Sequence, residues 1–220
     1  MNCLLCQQPL RSDWALAQLL SFKPLTLSRL CAQCLAQFTP IAAATACPGC
    51  GRAHSPKLCA DCQRWRQQGY ALLHNRAWFS YTPAMKAFIQ QYKGLGDYRL
   101  HEAFADQLQL PTRRTALVPL PSEPGHYARR GFDPVIGLFG HLPLALWLKK
   151  ADTAMPQAQK DRQGRLQTPQ SFTAHLPAKL PPHVILLDDL YTTGRTLYHA
   201  QAALRQAGYQ GTITARTLIR

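Results

Sequence analysis

The chain has 220 residues, 46% of them hydrophobic, which is enough apolar material for one or two folded domains and too much for a disordered chain. Its 25 Lys and Arg against 11 Asp and Glu leave a formal charge of +14, a balance that suits polyanionic partners such as nucleic acid or a highly phosphorylated metabolite, and equally a solubilising surface. The longest apolar run, residues 135–148, is broken by His141 and Pro143 and is too short to span a bilayer, and no basic-then-apolar leader opens the sequence; a cytoplasmic protein without membrane insertion is expected.

All eight cysteines fall in four C-x2-C pairs, Cys3/Cys6, Cys31/Cys34, Cys47/Cys50 and Cys59/Cys62. Two thiolates three residues apart grip one face of a tetrahedral zinc and a second pair completes it, so eight thiolates supply two closed structural sites with no open position for catalysis. The gaps of 24, 12 and 8 residues permit sequential pairing, which is favoured, or a cross-braced arrangement, and the spacing does not decide between them. Cys47-Pro48-Gly49-Cys50-Gly51 has the look of a zinc knuckle, its glycines letting backbone N–H groups turn toward sulfur. Disulfides or a redox dithiol are the competing readings, weakened because no C-x-x-C lies near a βαβ pattern. Residues 16–30, interrupted by Pro24, predict at most a short helix. The polar run at residues 63–69 marks a boundary, giving a double zinc ribbon over residues 1–68 and a second domain over 69–220.

In the second domain a strand is expected near residues 78–81. Thr82 then caps a helix with Pro83 at its first position, burying Met85, Phe88, Ile89 and Tyr92 and ending at Gly94. Lys93 sits at that helix end, just before Gly94-Leu95-Gly96-Asp97. Residues 116–120 read as a buried strand stopped by Pro119 and Pro121. A loop carrying His126, Arg129, Arg130, Gly131 and Phe132 follows, a candidate anion site, before Asp133 and Pro134 open another helix as cap and first-turn residue. Residues 157–172, with Lys160, Arg162 and Arg165, read as a mobile basic loop or a plain connector.

Residues 184–196, VILLDDLYTTGRT, organise the rest. Four apolar residues predict a buried parallel strand that delivers Asp188 and Asp189 to the ligand-binding edge of an open α/β sheet. Thr192, Thr193, Gly194 and Thr196 then form a phosphate cradle at the start of a helix with Leu197, Ala200 and Leu204 on one face and Gly208 as its stop. Carboxylates repel a bare anion but accept hydrogen bonds from ribose hydroxyls, so the pair points to a sugar phosphate. Two adjacent acids with no such partner repel each other, and changing both to Asn is expected to leave the fold intact or slightly stabilised.

Taken in order, the zinc pairs, Lys93-x-x-Gly96-Asp97, Val118-Pro119-Leu120-Pro121, Arg130-Gly131-Phe132 and the acidic stretch resemble the ComF/GntX family, phosphoribosyltransferase-like proteins associated with natural competence and DNA uptake. Residues 184–196 are similar to the phosphoribosyl pyrophosphate signature of type I phosphoribosyltransferases. The resemblance implies an α/β chain, a mostly parallel type I phosphoribosyltransferase-like sheet behind an N-terminal zinc-ribbon module, binding phosphoribosyl pyrophosphate or a related sugar phosphate with Mg²⁺. Asp188 and Asp189 would be the catalytic carboxylates on the ribose hydroxyls. Thr192, Thr193, Gly194 and Thr196 would hold the 5′-phosphate, with Lys93, Arg129, Arg130 and Gly131 completing the site on the pyrophosphate side. Where the family continues with Asn-Gln, this chain has Asp133-Pro134, which keeps the helix cap and adds a negative charge beside the anion loop. The alternative is a non-catalytic module on the same fold that senses the metabolite or binds single-stranded DNA, with competence proteins as further partners; no residue set identifies an acceptor.

Overall fold

The computed structural model describes residues 1–10, 28–151 and 171–220. Most of the short helix expected at residues 16–30, and the basic segment with Lys160, Arg162 and Arg165, lie outside the described residues. Four strands, β1 (Asn75–Phe79), β2 (Thr115–Pro119), β5 (His183–Leu190) and β6 (Thr212–Ile219), form one parallel sheet in the order β1-β6-β5-β2. A separate antiparallel ribbon joins β3 (Leu148–Lys150) to β4 (Phe172–Ala174). The described α-helices are α1 (Ala32–Leu35), α2 (Ala60–Gln67), α3 (Pro83–Ile89), α4 (Pro124–Arg130), α5 (Pro134–Phe139) and α6 (Arg195–Gln206). Among the described residues, no helix is long and apolar enough to cross a membrane.

The apolar run in β5 is explained by burial on both faces. Val184 and Leu186 join a core with Leu197, Ala200, Ala203 and Leu204 of α6, while Ile185 and Leu187 face a second core with Met85 and Phe88 of α3 and Leu138 and Phe139 of α5. Each core also takes in one group of cysteines: Cys47, Cys50, Cys59 and Cys62 with the first, Cys3 and Cys34 with the second.

Several expectations shift by a few residues for local reasons. β1 begins at Asn75 rather than near Trp78, because its backbone runs in register with β6 from Ala215 onward and leaves Tyr81 exposed beyond the sheet. Pro119 is the last residue of β2 and pairs with Leu187; β2 is an edge strand, where a missing N–H is tolerated, and the next amide, Leu120, donates to Leu187 O at 2.9 Å. The helix capped by Thr82, which accepts from Met85 N at 3.3 Å, does not end cleanly but widens into a π turn over Gln90–Gly94. Most of the polar run at residues 63–69 belongs to α2, whose Trp65 is buried against Tyr198 of α6 at a ring separation of 4.4 Å. The expected anion loop at residues 124–130 is the helix α4, closed by Gly131 in the left-handed conformation.

The knuckle of the second cysteine group is tied directly to β1: Asn75 N donates to Gly49 O at 2.7 Å and Asn75 Nδ2 to Cys50 O at 3.0 Å. Gly51, at φ +74°, lies so close that a Cβ would stand 3.1 Å from Asn75 O and 3.2 Å from Ala77 N. Gly51→Ala should therefore cost about 1–2 kcal/mol through left-handed strain and backbone crowding, measured as a lowered melting temperature of the zinc-loaded protein. An unchanged melting temperature would mean the knuckle is free to move off the strand.

Candidate functional site

The strand that buries Val184–Leu187 carries its pairing on through Leu190, so Asp188 and Asp189 emerge on a rigid strand at the carboxyl edge of the sheet. Successive residues point to opposite sides, yet the pair is held together: Asp189 N donates to Asp188 Oδ1 at 2.9 Å. Asp189 is buried and forms an ion pair with Lys93 Nζ. The π turn brings Lys93 there. Arg130, the last residue of α4, donates from Nε to Lys93 O at 2.9 Å, while its Nη1 is buried without a hydrogen-bond partner among the described residues.

These groups titrate against one another. Burial pushes Asp188 up to about 8, reinforced by the neighbouring charge of Asp189. Burial works the same way on Asp189, but the Lys93 ammonium outweighs it and holds this carboxyl below its ordinary range. Lys93 in turn loses solvation and is nevertheless raised, because Asp189 favours its charged form. The cleft thus holds one committed carboxylate, its counter-ion, and a second carboxyl whose charged form is disfavoured until something stabilises it. The expectation that both acids lack partners in the free protein is corrected for Asp189: the partly exposed Lys93 pairs with it, so removing both charges also removes that ion pair, and a stabilised double variant is no longer expected.

The cleft has a volume of about 290 Å³, near the roughly 300 Å³ lower end for small-ligand sites. Lys93, Arg130, Asp188, Asp189, Thr192 and Thr196 all line it. Thr193, Gly194, Gly131 and Arg129 do not; Arg129 is exposed and borders an adjoining depression of about 430 Å³ with Lys93, Gly96, His126 and Arg130. Gly194, at φ +83°, is the N-cap of α6, and the hydroxyl of buried Tyr191 fills the space where a Cβ would sit. The negative charge expected from Asp133 is absorbed: its carboxylate accepts from Ser122 N at 2.6 Å, Val135 N at 2.9 Å and Ile136 N at 3.1 Å. Asp97 does not line the cleft; it accepts two bonds from Arg99 and one from Gln91, fixing the turn after Lys93. Sequence reasoning missed Lys150 and the cleft role of Glu123, which pair at 3.3 Å in the cleft wall. Lys150 arrives on a three-residue strand too short to carry a period.

The eight cysteines form two groups, Cys3/Cys6/Cys31/Cys34 and Cys47/Cys50/Cys59/Cys62, so the pairing is sequential. Sulfur separations of 3.7 Å for Cys6–Cys31, 3.7 Å for Cys47–Cys62 and 3.5 Å for Cys50–Cys59 match the roughly 3.8 Å edge of a tetrahedron with ~2.3 Å zinc–sulfur bonds. Knuckle-type bonds reach sulfur from Cys31 N at 3.3 Å and from Cys59 N at 3.4 Å. All-thiolate donors at this spacing fit zinc, and both groups could hold one ion.

No family model matches the chain. Over 219 residues it is 35% identical to a protein described as Competence protein ComFC from Streptococcus pneumoniae (strain ATCC BAA-255 / R6), covering 94% of this chain and 95% of that one. Over 234 residues it is 29% identical to the Competence protein ComFC of Bacillus subtilis (strain 168), covering 99% of this chain and 94% of that one.

Elemental analysis should find about two zinc ions per chain in metal-replete protein; one or none would contradict the grouping. A second expectation concerns Asp188. A carboxyl raised to about 8 in the folded state binds its proton more tightly than in the unfolded chain, so it costs stability progressively as pH rises from the unfolded value of ~3.9. Asp188→Asn, which keeps an acceptor for Asp189 N, should then be more stable to unfolding than the parent at pH 8.5, by on the order of 1 kcal/mol after allowing for screening in the open cleft, with a smaller gap at pH 5. An equal gap at both pH values would show that Asp188 is not raised.

Proposed function

The chain belongs to the ComF family, and from that premise we propose that it binds phosphoribosyl pyrophosphate, or a closely related sugar phosphate, at the carboxyl edge of its sheet in the service of natural competence and DNA uptake. The observation that carries this reading is the convergence, in one cleft, of Asp188 and Asp189 with Thr192 and Thr196 at the start of α6. A carboxylate pair accepts from vicinal hydroxyls, and a loop running into a helix N-terminus receives a phosphate through backbone N–H groups and the helix dipole. Lys93 and Arg130 line the same cleft and would face the pyrophosphate, with the unpartnered Arg130 Nη1 as a donor ready for an anionic oxygen.

Mg²⁺ fits the same geometry. It needs only one or two carboxylates besides phosphate oxygens and waters, and Asp188, the cleft carboxyl with no ion-pair partner among the described residues, is suited to supply one. When bound, the ion would neutralise charge on the pyrophosphate. If transfer occurs, pyrophosphate leaves the 1-position of the ribose and a nucleophile takes its place; Asp188 and Asp189 orient the ribose, while Lys93 and Arg130 stabilise charge on the departing group.

A second reading, single-stranded DNA binding, is favoured by one observation: Arg129 and His126 are exposed along α4 next to Tyr127, itself 53% exposed, a basic edge with an aromatic face beside the cleft.

Calorimetric titration with phosphoribosyl pyrophosphate and Mg²⁺ should show saturable binding. Asp188→Asn should weaken it about tenfold, as expected for hydrogen bonds to a charged acceptor worth ~1.5–3 kcal/mol, without lowering the melting temperature. No heat with the parent protein would overturn the reading. Pyrophosphate release in the presence of an acceptor would identify a transferase, and binding without release a sensing module. For DNA, a mobility shift that weakens steeply with salt is expected, and its absence at low salt would remove DNA as a direct partner.

A further inference from the structure

One arginine touches both a thiolate cluster and the phosphate-type loop. Arg220, its side chain only 7% exposed, donates from Nε and Nη2 to Cys50 Sγ at 3.4 and 3.3 Å, and from Nη2 to Asp61 Oδ2 at 3.2 Å. From its other side Nη1 donates to Thr192 O at 2.9 Å and Tyr191 O at 3.3 Å, and the guanidinium lies 4.6 Å from the centre of the Tyr191 ring. Trp65, three residues after Cys62, donates from Nε1 to Thr193 O at 2.8 Å. Three successive loop carbonyls are therefore held by two side chains that are themselves fixed at the second cysteine group. In a trans peptide the C=O and the following N–H point in opposite directions, so anchoring these carbonyls turns the N–H groups of Thr192, Thr193 and Gly194 away from the cysteines. Those N–H groups make no hydrogen bond among the described residues.

We propose that Arg220 is a positioning residue that couples metal occupancy of the Cys47/Cys50/Cys59/Cys62 site to ligand binding at the Thr192–Thr196 loop. A bound ion holds four sulfurs in a fixed tetrahedron and keeps Cys50 where the guanidinium can bridge it to the loop; without the ion the sulfurs, 3.5 to 3.7 Å apart, lose the centre that fixes them and take up protons. The loop then loses the anchor that aims its donors. Coupling of this kind is reciprocal, so a ligand that needs the aimed loop must also raise the affinity for that metal. The Cys3/Cys6/Cys31/Cys34 site makes no hydrogen bond to the loop among the described residues and serves as the internal reference.

The test uses the full chain loaded with zinc. The amides of Tyr191 and Tyr198, which donate to Ile219 O and Gly194 O at 3.0 Å, close the two ends of the loop and report its order by hydrogen exchange. Cys59→Ser should speed their exchange about tenfold, and Cys6→Ser should leave it unchanged. Arg220→Met should speed it similarly while both zinc ions remain bound. Arg220→Lys should not restore protection, because one ammonium cannot span the sulfur and two carbonyls. Equilibrium competition with a zinc chelator gives the second readout, and it rests on the function proposed above: phosphoribosyl pyrophosphate with Mg²⁺ should raise the affinity for one zinc of the two several-fold in the parent and for neither in Arg220→Met. Unchanged exchange in both Arg220→Met and Cys59→Ser, or a ligand-raised zinc affinity that survives Arg220→Met, overturns the coupling. If the metabolite fails to bind the parent, the proposed ligand falls, and the exchange measurements still decide the coupling.

Discussion

A buried carboxylate in contact with a partly exposed ammonium constrains everything around the cleft. Lys93 offsets the burial of Asp189 at the end of a two-face-buried strand and keeps it charged, and it does so from the π turn rather than from a regular helix end. The π turn at Gln90–Gly94 inserts the extra residue that swings the lysine inward, at the kind of place where such bulges mark function. Arg130 is then seated on the Lys93 carbonyl, so the end of α4 is positioned by the same pair. One ion pair thereby fixes three elements against the edge of the sheet. It also leaves Asp188 as the cleft carboxyl that an incoming cation or hydroxyl can recruit.

The sheet itself is small. Four strands with two short helices on one side and essentially one long helix on the other leave apolar surface that a larger domain would cover with more structure. The cysteine groups fill that role, one in each core, so two groups that could hold metal contribute to the floor on which the cleft sits. The second group does so with additional specificity, because its knuckle is hydrogen-bonded to the first strand and its helix α2 reaches the loop through Trp65.

Much of this was legible in the sequence where one residue type has one physical use. Four C-x2-C pairs, a Thr-Pro helix start, an Asp-Pro helix start and an apolar tetrad ending in two acids each predict their local structure, and each is found. The failures share a cause. The segment before Gly131 reads as a loop following the strand stopped by Pro119 and Pro121, yet Pro124 is tolerated in the first turn and the helix runs on to Arg130. Nothing in a helical spacing announces a π turn. Lys150, Trp65 and Arg220 acquire their roles only through partners distant in sequence, so no local pattern could have singled them out.

The strand order carries a temporal consequence. β1 has β6 as its one neighbour in the sheet, and β6 also lies between β1 and the acid-bearing β5. On a chain emerging from the ribosome, both cysteine groups can close once Cys62 is out, whereas Asn75–Phe79 must wait for a partner that is made far later. The thiolate groups that could hold metal are therefore complete in a nascent chain long before the cleft is, and the sheet edge that carries the cleft closes only after β6 and Arg220 have been translated.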